Sequence, residues 1–131
     1  MLGISCGVDI IEIDRIKKSL ESCGDSFRDK VFTAREIEYC EGKKAVRYQS
    51  YAARFAAKEA VSKAFGTGIG RGVSLKDIEV LNDEYGKPYV VLAGRAKELF
   101  NEINAIEISL SLSHSQNYAV AYAVMETAKK K

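Results

Sequence analysis

The chain has 131 residues, 47% of them hydrophobic and 29% charged, values ordinary for one globular domain over residues 1–131 and small enough to favour oligomerisation. Formal net charge is only +2, which argues against a general nucleic-acid binder. Cys6, Cys23 and Cys40 are odd in number and form no CxxC pair, so neither a disulfide framework nor a zinc site is expected, and a reducing cytoplasm fits best. Met1 to Ser5 shows no basic start followed by a long apolar stretch, and no run of about 18 apolar residues follows, so neither a signal peptide nor a membrane span is expected.

Leu2 to Ile11 is mostly apolar and β-branched, the pattern of a buried strand. Ile13, Ile16 and Leu20 then take helical spacing, with Gly24 as the stop. Thr33-Ala34-Arg35-Glu36 reads as a capping box opening a short helix that ends near Gly42. From about Arg47 to Phe65 an alanine-rich helix is expected, with Ala53, Ala56, Ala57, Ala60 and Ala64 on one face, small enough to let another backbone approach. The glycine run from Gly66 to Gly72 breaks it. Ile78 to Asn82 and Tyr89 to Leu92 read as strands joined by an Asp83–Lys87 turn, and Gly94 to Ile103 as a helix. Ile106, Ile108, Leu110 and Leu112 alternate with polar residues, a half-buried strand; His114 to Asn117 turns, and Tyr118 to Met125 returns. The closing lysines read as a frayed end. The expected class is α+β, a small, mainly antiparallel sheet with a long central helix.

Three local features bear on chemistry. Between Lys43 and Gly72 stand seven basic residues (Lys43, Lys44, Arg47, Arg54, Lys58, Lys63, Arg71) against one acid, Glu59, which points to an anion site or else to a solvated helix face with Glu59 and Lys63 as an i,i+4 pair. Asp9 lies inside an apolar strand, where a carboxylate is costly unless paired or metal-bound, although a strand-end or capping role would also suit it. Asp9 and Glu59 together suit magnesium, which takes one or two carboxylates and completes its shell with phosphate and water. The glycine run lacks the GK[ST] of a Walker loop and follows a helix, not a strand, so it is no dinucleotide fingerprint; a close backbone approach to a ligand or a plain helix end remain. His114 is the only histidine, flanked by Ser113 and Ser115 with no nucleophile-elbow pattern, so serine hydrolase chemistry is not supported.

Taken in order, Gly7-Val8-Asp9-Ile10-Ile11-Glu12-Ile13 with Arg15-Ile16, Phe32-Thr33-Ala34-Arg35-Glu36, Arg54-Phe55-Ala56-Ala57-Lys58-Glu59-Ala60 with Lys63-Ala64-Phe65-Gly66-Thr67-Gly68, and Leu110-Ser111-Leu112-Ser113-His114-Ser115 with Tyr118 to Ala121 closely resemble the holo-acyl-carrier-protein synthase family across nearly the whole chain. The resemblance implies a phosphopantetheinyl transferase that moves the pantetheine arm of coenzyme A to a serine of an acyl carrier protein, with magnesium as cofactor, in fatty-acid synthesis. It implies Asp9 and Glu59 as magnesium ligands and Glu59 and Lys63 as catalytic, with Lys63 on the pyrophosphate. Arg54, Lys58, Gly66, Thr67, Gly68, Ser113 and His114 would hold the rest of coenzyme A, and Arg15 would meet acidic residues of the carrier. It also implies a homotrimer with the active site between neighbouring subunits. Two other classes stand beside it: a coenzyme A or nucleotide binder, which would need no paired metal ligands, and a carrier adaptor using only Arg15, Lys17 and Lys18. Within the transferase class, a polyketide or peptide synthase carrier is a second target.

Overall fold

The computed structural model describes residues 2–66 and 72–128. In chain order it holds β1 (Leu2–Glu12), α1 (Ile13–Ser22), α2 (Asp25–Val31), α3 (Ala34–Gly42), α4 (Arg47–Ala64), β2 (Ile78–Asn82), β3 (Pro88–Leu92), α5 (Gly94–Glu102), β4 (Ala105–His114) and β5 (Tyr118–Ala128). Single 3-10 turns precede α4 and β2. The α+β class and the helix–strand order match the sequence reading, with one addition. Gly24, expected only to stop α1, also opens α2: its φ of +57° is a turn that glycine makes without strain, and seven residues are too few to show a helical period.

Two antiparallel sheets result, one of three strands in the order β1-β5-β4 and one formed by the β2–β3 hairpin. β1 and β5 pair in unbroken register from Leu2 opposite Ala128 to Glu12 opposite Tyr118. In β4 the pairing slips between Ala105 and Glu107, which turns Ile106 outward. The expected alternation therefore holds from Ile108 onward but not at Ile106.

α4 lies across the inner face of β1 and β5. Ala56, Ala57 and Ala60 are fully buried there, as are Ala119, Ala121 and Ala123 of β5, so the layers meet methyl to methyl. Larger side chains complete the core, among them Phe32 and Tyr51, whose rings meet edge to face at 4.9 Å. The capping box of α3 forms as read: Glu36 N–H donates to Thr33 Oγ1, and Glu36 Oε1 accepts from Thr33 N–H at 2.9 Å.

β1, expected as a buried strand, is buried on one face only. Gly3, Gly7 and Ile11 turn inward, while Leu2, Ile4, Val8 and Ile10 point outward, with Ile4 78% and Ile10 65% exposed. Tyr118 and Tyr122 of β5 are exposed as well. Such a run of large apolar side chains is uncommon on a monomer's surface.

Candidate active site

The alternation of β1 turns Asp9 toward α4, where Glu59 stands half-buried. Both line one cleft of about 500 Å³, together with Arg15 of α1, Glu12, Phe55 and Tyr118. Lys63, one turn beyond Glu59, reaches back across the seam: its Nζ donates to Val8 O at 2.9 Å and to Asp9 Oδ1 at 3.2 Å. The structure thus joins Asp9, Glu59, Lys63 and Arg15, brought from three elements separated by as many as 54 residues.

Burial pushes the Glu59 carboxyl above the ordinary carboxylate range, Asp9 pushes it further, and Lys63 offsets part of the rise. Asp9, Glu12 and Glu59 therefore bring three acidic side chains to one opening, with Arg15 in its lining and the Lys63 ammonium on Asp9. Among the described residues no group of three or more His, Cys, Asp or Glu side chains could hold a metal ion. Two carboxylate donors in an open cleft are a poor zinc or calcium site, but they fit an octahedral magnesium ion that draws its other ligands from water and a phosphate-bearing substrate.

Arg54 and His114 lie elsewhere. They line a second cleft of about 570 Å³, with Lys43, Gln49, Ser50 and Asn82. Neither cleft shares a lining residue with the other. Arg54 is buried; its Nη2 donates to Asn82 Oδ1, its Nη1 lies 3.5 Å from Ser50 Oγ, and its guanidinium sits 3.9 Å over the Tyr39 ring. Its Nε is buried without a hydrogen-bond partner. Ser113 and His114 are exposed at the end of β4. Gly66 ends α4 with φ +85°, its N–H donating to Lys63 O at 2.9 Å. Thr67 and Gly68 lie outside the described residues.

Lys58 requires a correction. It is fully buried, and its ammonium donates to Glu36 Oε1 at 2.7 Å, Leu75 O at 3.0 Å and Ile78 O at 2.6 Å. An ammonium has three protons, and all three are used inside the core. Lys58 is thus held as a structural cation, with no donor left over for the coenzyme A contact that the resemblance implies. Burial lowers its pKa, against the opposing charge of Glu36. Glu36 completes the network by accepting Val80 N–H at 2.8 Å on its other oxygen.

Tyr39 and Asn82 were not singled out from sequence. They stand 15 and 28 positions from the arginine they hold, and no local pattern marks either. Cys40 is buried, with its thiol pushed up to about 11 by burial, which makes it a weak nucleophile; Cys6 and Cys23 are exposed.

Residues 5–123 match the model of the 4′-phosphopantetheinyl transferase superfamily. The holo-[acyl-carrier-protein] synthase of Ruminiclostridium cellulolyticum is 62% identical over 91% of this chain and 89% of its own. The crystal structure of a holo-(acyl-carrier-protein) synthase from Bacillus anthracis in complex with CoA (3′,5′-ADP) is 40% identical, superposes with a TM-score of 0.79, and covers 98% of this chain and 100% of its own. That of Helicobacter pylori holo-[acyl-carrier-protein] synthase in complex with coenzyme A is 33% identical with a TM-score of 0.81, covering 92% and 98%.

Proposed function

We propose, from the premise that the chain belongs to the holo-[acyl-carrier-protein] synthases of the 4′-phosphopantetheinyl transferase superfamily, that it transfers 4′-phosphopantetheine from coenzyme A to a serine of apo acyl carrier protein in a magnesium-dependent step of fatty-acid synthesis. The observation that carries this reading is the convergence of Asp9, Glu59 and Lys63 in and beside one open cleft.

In the proposed reaction the serine Oγ attacks the β-phosphorus of coenzyme A. The bond from that phosphorus to the bridging oxygen breaks, and adenosine 3′,5′-bisphosphate leaves with the electron pair. Asp9 and Glu59 would hold the magnesium ion, which when bound supplies positive charge against the pyrophosphate. Lys63 brings its ammonium to the same place, held by Val8 O and Asp9, and would neutralise charge on the leaving phosphate. Glu59, or a water beside it, would take the serine proton. Arg15, exposed on α1 at the rim of this cleft, is assigned to the acidic carrier.

Arg54 and His114 would bind the nucleotide end. Their cleft is separate from that of Asp9 and Glu59 in one chain, which supports an active site shared between neighbours in a homotrimer. The bare apolar face of β1 and β5 supports the same assembly. We take residues 1–131 as one domain acting in the cytoplasm. No helix among the described residues is long and apolar enough to cross a membrane.

The test is direct. Incubate the protein with apo carrier, coenzyme A and magnesium, and weigh the carrier by mass spectrometry. The carrier should gain the mass of one phosphopantetheine; an unchanged mass overturns the reading.

A further inference from the structure

We infer that Gly7 is a positioning residue of the transfer site: the absence of its side chain sets how closely β1 approaches α4, and so the spacing of Asp9, Glu59 and Lys63. This rests on the reading of those three residues given above.

Backbone conformation does not demand glycine at this position. Gly7 pairs in register with Ala123, inside an unbroken ladder, and it is not among the glycines with positive φ. Space demands it. A Cβ on Gly7 would stand 2.0 Å from Ala60 O, 2.8 Å from Ala64 N and 2.9 Å from Lys63 Cβ. The two nearest atoms are helix backbone, which has no rotamer by which to move aside. Strand and helix would have to part by roughly 1.5 Å to restore an ordinary contact.

The place where they would part matters. Ala60 follows Glu59 directly, and Lys63 itself lines the notch. On the strand, Val8 follows Gly7 and gives its carbonyl to Lys63, and Asp9 follows Val8. A wedge at Gly7 therefore falls between the two carboxylate-bearing elements and breaks the 3.2 Å contact of Lys63 with Asp9. A misplacement of about 1 Å can cost about 100-fold in rate.

The experiment uses the full-length enzyme and four variants. For each, four things are measured: kcat, the urea midpoint, the magnesium concentration that half-activates transfer, and Mn²⁺ binding in the presence of coenzyme A without carrier, by water-proton relaxation. Gly7→Ala should lower kcat by about 100-fold, raise the metal requirement several-fold and weaken Mn²⁺ binding in parallel. Ser5→Thr adds one methyl to the same face of β1 while keeping the hydroxyl that bonds Ala64 O. It should shift the same quantities in the same direction by less, and it decides the matter if Gly7→Ala does not fold. Leu99→Ala, a core deletion in α5, should lower stability and leave the metal requirement unchanged. Asp9→Asn separates the two levels of the claim. If it loses Mn²⁺ binding while Gly7→Ala and Ser5→Thr keep wild-type values, the role of Gly7 is overturned and the metal site stands. If Asp9→Asn also binds Mn²⁺ like the wild type, the reading of the site itself is overturned.

Discussion

Replacing Lys58 by methionine should damage folding and leave recognition of coenzyme A intact. Methionine keeps most of the volume and removes the charge. Glu36 would then be a buried carboxylate holding only the N–H groups of Thr33 and Val80, and the carbonyls of Leu75 and Ile78 would lose their donor. Removing one partner of a buried ion pair costs about 3–5 kcal/mol, and orphaned acceptors add to that. We therefore expect a loss of about 4 kcal/mol from a total stability of about 5–15 kcal/mol. With a urea m-value of about 2 kcal/mol per molar, the midpoint should fall by about 2 M. The double variant Glu36→Gln/Lys58→Met should recover at least half of this, because the amide stays neutral and still accepts from a backbone N–H. The folded fraction of Lys58→Met should keep a wild-type KM for coenzyme A. A midpoint within about 0.5 M of wild type, together with a raised KM, would refute the reasoning and return Lys58 to the ligand.

Asp9→Ala and Glu59→Ala should each nearly abolish carrier modification with stability retained, since both side chains line an open cleft; wild-type rates in both variants would sink the metal assignment. If the proposed trimer packs through the bare face of β1, Ile10→Lys, which charges that face, should lower the mass seen by light scattering to that of a monomer, and a mass equal to wild type would place the interface elsewhere. Glu79 gives a pH prediction. Burial alone would raise its carboxyl, but hydrogen bonds from Arg35 and Thr33 and the charges of Arg35 and Lys58 outweigh it and hold the group below its ordinary value of 4.5. A depressed folded pKa contributes stability that is complete above the unfolded value and lost as pH falls through the folded one. Glu79→Gln should therefore lower the urea midpoint at pH 7, with the difference shrinking below about pH 4; a gap that is constant with pH would contradict this.

What sequence revealed followed the range of the interactions involved. The capping box of α3, the alanine face of α4 and the β2–β3 hairpin are short-range patterns, and each forms where it was read. Counting charge along α4 gave Lys58 and Lys63 the same meaning. One is fully buried on a carboxylate 22 positions away, and the other stands half-exposed at the cleft. Nothing within a helical turn tells them apart. The reading of β1 as buried failed for a similar reason, because apolar residues on both faces of a strand do not say whether the second face is covered by the same chain or by another. Asp9 and Glu59 drew attention as odd residues in their own segments, but their meeting in one cleft depends on how the helix crosses the sheet.

That crossing has a mechanical side. Alanine methyls laid against alanine methyls make a smooth bearing, with few protrusions to stop one layer from sliding over the other. What fixes the helix lengthwise is the notch at Gly7, the Ser5 hydroxyl on Ala64 O and the reach of Lys63 to Val8 and Asp9. Two of these three stops are polar and one belongs to the reacting groups themselves, so when Lys63 turns to a phosphate the latch that registers helix over sheet is partly undone.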